Sequence, residues 1–231
     1  MFDANVPVHG VITINGVDLW ITNTMVMGWV ISTVLVIFAV IVRLKLKTFK
    51  ERPTGFQNIV EMMIGTFENF MKANGSPAIA WMGGWFFTLF TFLLLSNIVG
   101  IFPGMRPPTA DWPLPLALAL TSFFLIQFAG IRYRGWKYIK GTYFNPHWVF
   151  FPVNVLGEFS RPISLSFRIF GNILGGLILV TIVYQLTPVF ASFVFPIPLH
   201  LFFDIAFGVL QAFIFTILSL AFVGLAAEET V

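Results

Sequence analysis

Charged side chains fall in clusters along this chain, and between them lie runs free of Asp, Glu, Lys and Arg at 19–42, 73–105, 112–131, 169–203 and 205–227. Each run reaches the roughly 20 apolar residues that cross a bilayer. The pattern therefore predicts spans over 19–42, 81–102 and 113–131 and two longer embedded segments over 147–186 and 199–227. Residues 54–72 follow a different rhythm. There Phe56, Ile59, Val60, Met63, Ile64, Phe67, Phe70 and Met71 recur at three- and four-residue steps, with Gln57, Asn58, Glu61, Glu68, Asn69 and Lys72 opposite. Two carboxylates exclude a spanning role, so this helix is expected to lie flat on the membrane surface, where it can also pack on another subunit. Thr54, after Pro53, is the expected N-cap.

Composition turns this pattern into a fold class. Of 231 residues, 58% are apolar and only 10% charged, against about 25% charged in a soluble domain. The expectation is an all-α integral membrane protein in one membrane domain, with about five embedded helices and one amphipathic surface helix. The net charge of +3 does not point to nucleic acid. The basic residues follow the first span (Arg43, Lys45, Lys47, Lys50, Arg52) and the third (Arg132, Arg134, Lys137, Lys140), where the positive-inside effect puts them in the cytoplasm. Segment 1–18 then lies outside, and Glu228 and Glu229 lie inside. The first twenty residues contain no Lys or Arg, so a cleavable signal peptide is not expected. The chain has no Cys, and His9, His147 and His200 are far apart, so no metal site, cofactor or cysteine nucleophile is expected.

The last ninety residues carry most of the intramembrane polarity. Read as helices, 161–186 is about 39 Å long and 199–227 about 43 Å, both longer than the roughly 30 Å hydrocarbon core. Tilt is the expected solution, with Thr187, Pro188, Pro196 and Pro198 making the turn of an antiparallel hairpin. Glu158, Arg161, Ser164, Arg168, Asn172 and Gly175 follow one another at helical steps, as do His200, Asp204, Gly208 and Gln211. Arg168 stands among Phe167, Ile169 and Phe170, where a cation costs about 2.5 to 3.5 kcal/mol and requires a partner or water. Glu158, about 15 Å along the helix, is too distant. The partner is either Asp204 or a carboxyl from another chain. Glu158 and Arg161 form either a surface pair or the mouth of a cytoplasmic channel. Ser96 and Asn97 are read as interhelical hydrogen-bond partners, Trp20, Trp81, Trp85 and Trp148 as interface anchors, and His147 as a cap or interfacial residue.

The stretches GEFSRPISLSFRIFGNILGG (157–176), LLLSNIVGIFPG (93–104) and GVLQAFIFTILSLAF (208–222) resemble subunit a of the F-type ATP synthase. That resemblance implies a non-catalytic stator subunit in the bacterial inner membrane. It would work with a ring of small hairpin rotor subunits (subunit c), the peripheral stalk subunit b and the rest of the synthase, and would carry H⁺ or Na⁺ through two aqueous half-channels. It implies that Arg168 faces the ring carboxyls, with Asn172 and Gln211 lining the site. Two departures follow. Leu177 stands where many members have a carboxylate, and Asp204 takes the His or acid position of the last helix, so the outer path is expected to rely on Asp204 and His200. The full ion-translocating set is Arg168, Asn172, Asp204, Gln211, His200, Glu158 and Ser164. A self-contained secondary transporter or channel is the alternative; it predicts repeated halves and broken helices, and neither is visible in the sequence.

Overall fold

The computed structural model describes residues 8–14, 17–50, 53, 55–102, 105–186, 198–199 and 201–228, with the backbone alone at 8–14, 17–20, 101, 184 and 204. It opens on an antiparallel hairpin of β1 (Val8–Ile14) and β2 (Val17–Thr22), in which Val11 pairs with Trp20 and Ile12 with Leu19. The sequence pattern started the first span at residue 19. Val, Ile and Thr are stiff at Cβ and favour the pleated conformation, so 19–22 belongs to the strand and the helix starts later. It is α1 (Asn23–Lys45), capped by the Thr22 side chain, which accepts from the Met25 N–H at 3.3 Å. Arg43 and Lys45 close its last turn, where cations complement the helix dipole.

The amphipathic helix is α2 (Phe56–Asn74). Gly55, at φ 56°, occupies its N-cap; Thr54, expected there, lies outside the described residues. Gln57, expected on the polar face, is instead buried. It accepts from the Lys50 N–H at 3.0 Å and donates to the Lys50 carbonyl at 2.7 Å, folding the chain back at the α1–α2 corner. Next come α3 (Gly83–Ile98), α4 (Pro113–Arg134) and α5 (Trp136–Tyr143). Gly135, at φ 56°, separates α4 from α5. It turns the Tyr138 ring back onto Gly130, where any Cβ would come within 2.5 Å of that ring.

The long helix α6 (Phe151–Leu186) has 36 residues, about 54 Å. It occupies most of the segment expected over 147–186 and includes the helical stretch read from 161. Pro152 sits in the first turn, where no N–H is needed, and Pro162 is accommodated in the interior. The final helix also departs from expectation. Residues Leu201–Phe207 are π-helical and the α-helix, α7 (Gly208–Ala227), begins only at Gly208.

Buried Gln211, Ala212, Phe215, Thr216, Ser219, Leu220 and Val223 make α7 the centre of the bundle, against α3, α4 and α6. Phe86, Ile79, Ile126, Tyr138, Leu220 and Val223 form one core cluster, and Leu89, Leu93, Ala119, Leu165, Ile169 and Phe215 a second. The helices alternate in direction. At one end the Tyr133 hydroxyl of α4 donates to the Ala78 carbonyl before α3, and Ala226 and Ala227 close the α7 terminus on the Tyr138 cluster. At the other end Thr24 of α1 donates to Asp111 before α4, and Asn97 of α3 donates to the Gly208 carbonyl at 2.9 Å. Both basic blocks thus belong to the same end. Among the described residues five helices are long and apolar enough to span a membrane, so the fold is an all-α membrane bundle preceded by a small hairpin.

Candidate functional site

α6 turns Leu165 and Ile169 into the core and leaves Ser164, Arg168 and Phe167 exposed on the opposite side. Phe167 stacks on Trp112 at the start of α4, with ring centroids 5.5 Å apart. Among the described residues Arg168 has no ion-pair or hydrogen-bond partner. One turn further on, Asn172 Nδ2 donates to Gln211 Oε1 at 3.1 Å, joining α6 to α7. Gln211 is almost wholly buried, and its Nε2 has no acceptor among the described residues. A buried amide donor without a partner costs about 1 to 3 kcal/mol, so this position calls for water or an added group.

Arg168, Asn172 and Gln211 are therefore neighbours along one α6–α7 seam. Asp204 lies in the π-helical stretch, where nothing is described of its side chain, and His200 lies outside the described residues. The three- and four-residue spacing that grouped Asp204 with Gly208 and Gln211 assumes an α-helix. A π-helix bonds i to i+5, so the register before Gly208 differs from the α-helical one that this spacing assumes.

Glu158 departs from the predicted stripe as well. It is 6% exposed, whereas Arg161, Ser164 and Arg168 are exposed. Arg161 Nη1 holds both its oxygens, at 3.0 and 3.1 Å, and the guanidinium lies 5.0 Å over the Phe222 ring. This pair faces a cavity of about 580 Å³ shared with Arg134, Tyr138, Thr142 and Asn154 at the basic end of the bundle. Nearby, the Tyr143 hydroxyl donates to Gln127 Oε1 at 2.9 Å. Sequence reasoning passed over Tyr138, Gln127 and Asn154; a lone Gln inside the third apolar run was the one signal available. Asn97 does what was expected of it, accepting from Thr109 at 2.9 Å while holding Gly208. Its neighbour Ser96 is buried with no hydrogen-bond partner among the described residues.

Residues 25–224 match the family described as ATP synthase A chain. This chain belongs to that family. Curated relatives agree. ATP synthase subunit a 2 of Bradyrhizobium sp. (strain BTAi1) is 33% identical over 207 residues, covering 89% of this chain and 89% of the relative. ATP synthase subunit a of Moorella thermoacetica is 34% identical over 210 residues, covering 88% and 89%. The subunit a of Geobacter sulfurreducens is 33% identical over 209 residues, covering 87% and 86%. The ATP synthase A chain match contains the whole α6–α7 seam and both polar clusters.

Proposed function

We propose that this chain is the ion-translocating stator subunit of an F-type ATP synthase and that Arg168 is its fixed cation. The carrying observation is that Arg168 is exposed, flanked by apolar side chains and unpaired among the described residues. Arg stays protonated in any surroundings, so it cannot relay a proton and acts as a permanent charge. A rotor carboxyl facing lipid must be neutral, because isolated charge in hydrocarbon is prohibitive. Beside a guanidinium its charged form is favoured, and the ion is expelled.

With one aqueous half-channel to each side and Arg168 between them, an ion crosses only by riding the ring. Asn172 and Gln211 line that contact. Asp204 and His200 serve the outer path, and Glu158, with Ser164 above it, the cytoplasmic one. The cavity at Glu158 and Arg161 supports the second assignment. The basic end faces the cytoplasm, and the partners are the subunit c ring and the stalk subunit b. In the assembled synthase in vesicles, Arg168→Ala abolishes ion-driven ATP synthesis with assembly retained. Arg168→Lys is nearly as damaging, since a buried ammonium can lose its proton. Normal coupled synthesis in either variant removes Arg168 from the mechanism.

A further inference from the structure

The π-helical stretch Leu201–Phe207 carries Asp204 into the bundle. π-turns are rare and recur at functional sites, so their surroundings must hold them. Each residue that such a turn inserts swings the preceding chain by about 100° against the chain that follows. In an unbroken α-helix positions 204 and 211 would share a face to within about 20°. Where position 204 lies relative to Gln211 therefore depends on the π-turn.

Two sets of contacts meet at its end. The Phe207 ring packs on Phe202 and Phe203, with centroids 4.9 and 5.8 Å away. A pair five residues apart meets in a π-turn, whereas α-helical partners stand three or four apart. Gly208, the first α-helical residue, backs on α3 so closely that a Cβ there would come 2.8 Å from that of Asn97. Across this approach Asn97 Nδ2 donates to the Gly208 carbonyl at 2.9 Å. The amide is itself oriented, because its Oδ1 accepts from the Thr109 hydroxyl at 2.9 Å and both side chains are buried. Thr109 belongs to the 3-10 turn Pro108–Ala110, and beside that turn Asp111 accepts from Thr24 at the start of α1. The loop after α3 is thus braced by α1 and passes its position through Asn97 to Gly208.

We infer that Asn97 is a positioning residue of the outer ion path: oriented by Thr109, its amide clamps the π-to-α junction at Gly208 and fixes the register in which Asp204 precedes Gln211. This rests on the outer-path role proposed for Asp204. Asn97 carries no ion and moves no proton in this role; it acts through Asp204. A bond that merely glued α3 to α7 would hold the whole helix, whereas a clamp on the junction governs only what precedes Gly208.

Register can be read by disulfide formation in this cysteine-free chain, in membranes bearing the assembled synthase. Before the junction, a Cβ on Gly176 would stand 3.0 Å from that of Phe203, close to the roughly 3.5 to 4.5 Å of a disulfide. Beyond it, the Ser122 and Ser219 hydroxyls are 3.3 Å apart. Gly176→Cys with Phe203→Cys, which leaves Phe202 on Phe207, and Ser122→Cys with Ser219→Cys should each cross-link rapidly under mild oxidation. Asn97→Ala should slow the first pair about tenfold, the effect of about 1.4 kcal/mol, and leave the second unchanged. Thr109→Val keeps the amide and its packing and should slow the first pair by less; it carries the test if Asn97→Ala fails to assemble. Equal slowing of both pairs, or of neither, overturns the inference. With no cysteines added, Asn97→Ala should also slow passive ion uptake from the outer side several-fold, with no further loss when combined with Asp204→Asn. Losses that multiply overturn the action through Asp204. Parent-like uptake in Asp204→Asn, with the first cross-link still slowed by Asn97→Ala, would instead strike the outer-path reading and leave the clamp standing.

Discussion

A guanidinium at the edge of a bundle must find its counter-charge somewhere, and two acidic side chains of this chain, Glu158 and Asp204, compete for that role. Glu158 is already held by Arg161 through both oxygens, and it stands about 15 Å down the helix from Arg168. Asp204 is the remaining candidate. If it is a group of the outer path, its charge gathers cations ahead of the ring. If it is a counter-ion, its loss strands a cation beside lipid and the subunit fails to hold. Leu177 supplies no second carboxylate on α6, so Asp204→Asn should slow passive ion uptake from the outer side several-fold with the subunit still assembled. Flux equal to the parent, or loss of the subunit from the membrane complex, assigns Asp204 a structural role.

At the level of elements, α5 shows how a short helix is held by one residue. Tyr138 is buried against Gly130, and burial, with the Glu158 charge behind it, raises its phenol from 10.0 to about 12. The folded state favours the neutral phenol, so this contribution is complete below about pH 10 and is lost as pH climbs toward 12. Thermal unfolding in detergent should therefore show the parent losing more stability between pH 9 and pH 11.5 than Tyr138→Phe, which keeps the ring and removes the proton; equal losses would detach Tyr138 from the alkaline transition. Helix existence was legible in the sequence because charge-free runs and a 3.6-residue rhythm are local. The ends were less so: the Val- and Thr-rich strand before α1 and the π-helical turn before Gly208 depend on pairing and packing between distant segments. Asn97 was readable as an interhelical donor, yet its acceptor, the Gly208 carbonyl, is 111 residues away. Glu158 looked like part of a stripe because α-helical spacing cannot tell which of two adjacent positions the neighbouring helices will cover.

For the molecule as a whole, the alternation of helix directions joins two facts that the sequence held apart. The basic residues after α1 and after α4 come to one end, and the α7 terminus comes with them. Positive blocks of this kind are retained on the cytoplasmic side, so the expectation is that α2, whose start is tied to Lys50, lies on that side too. Its polar face offers a direct reading of orientation, because Asn58 and Glu68 are exposed and the chain has no cysteine of its own. Asn58→Cys and Glu68→Cys should react with a membrane-impermeant maleimide in inverted vesicles and stay unlabelled in intact cells until the membrane is opened. A cysteine at Met105, exposed near the opposite end, should show the reverse order. Labelling of either α2 position in intact cells would turn the bundle over, place the Glu158 cavity on the outer side and exchange the roles proposed for the two half-channels.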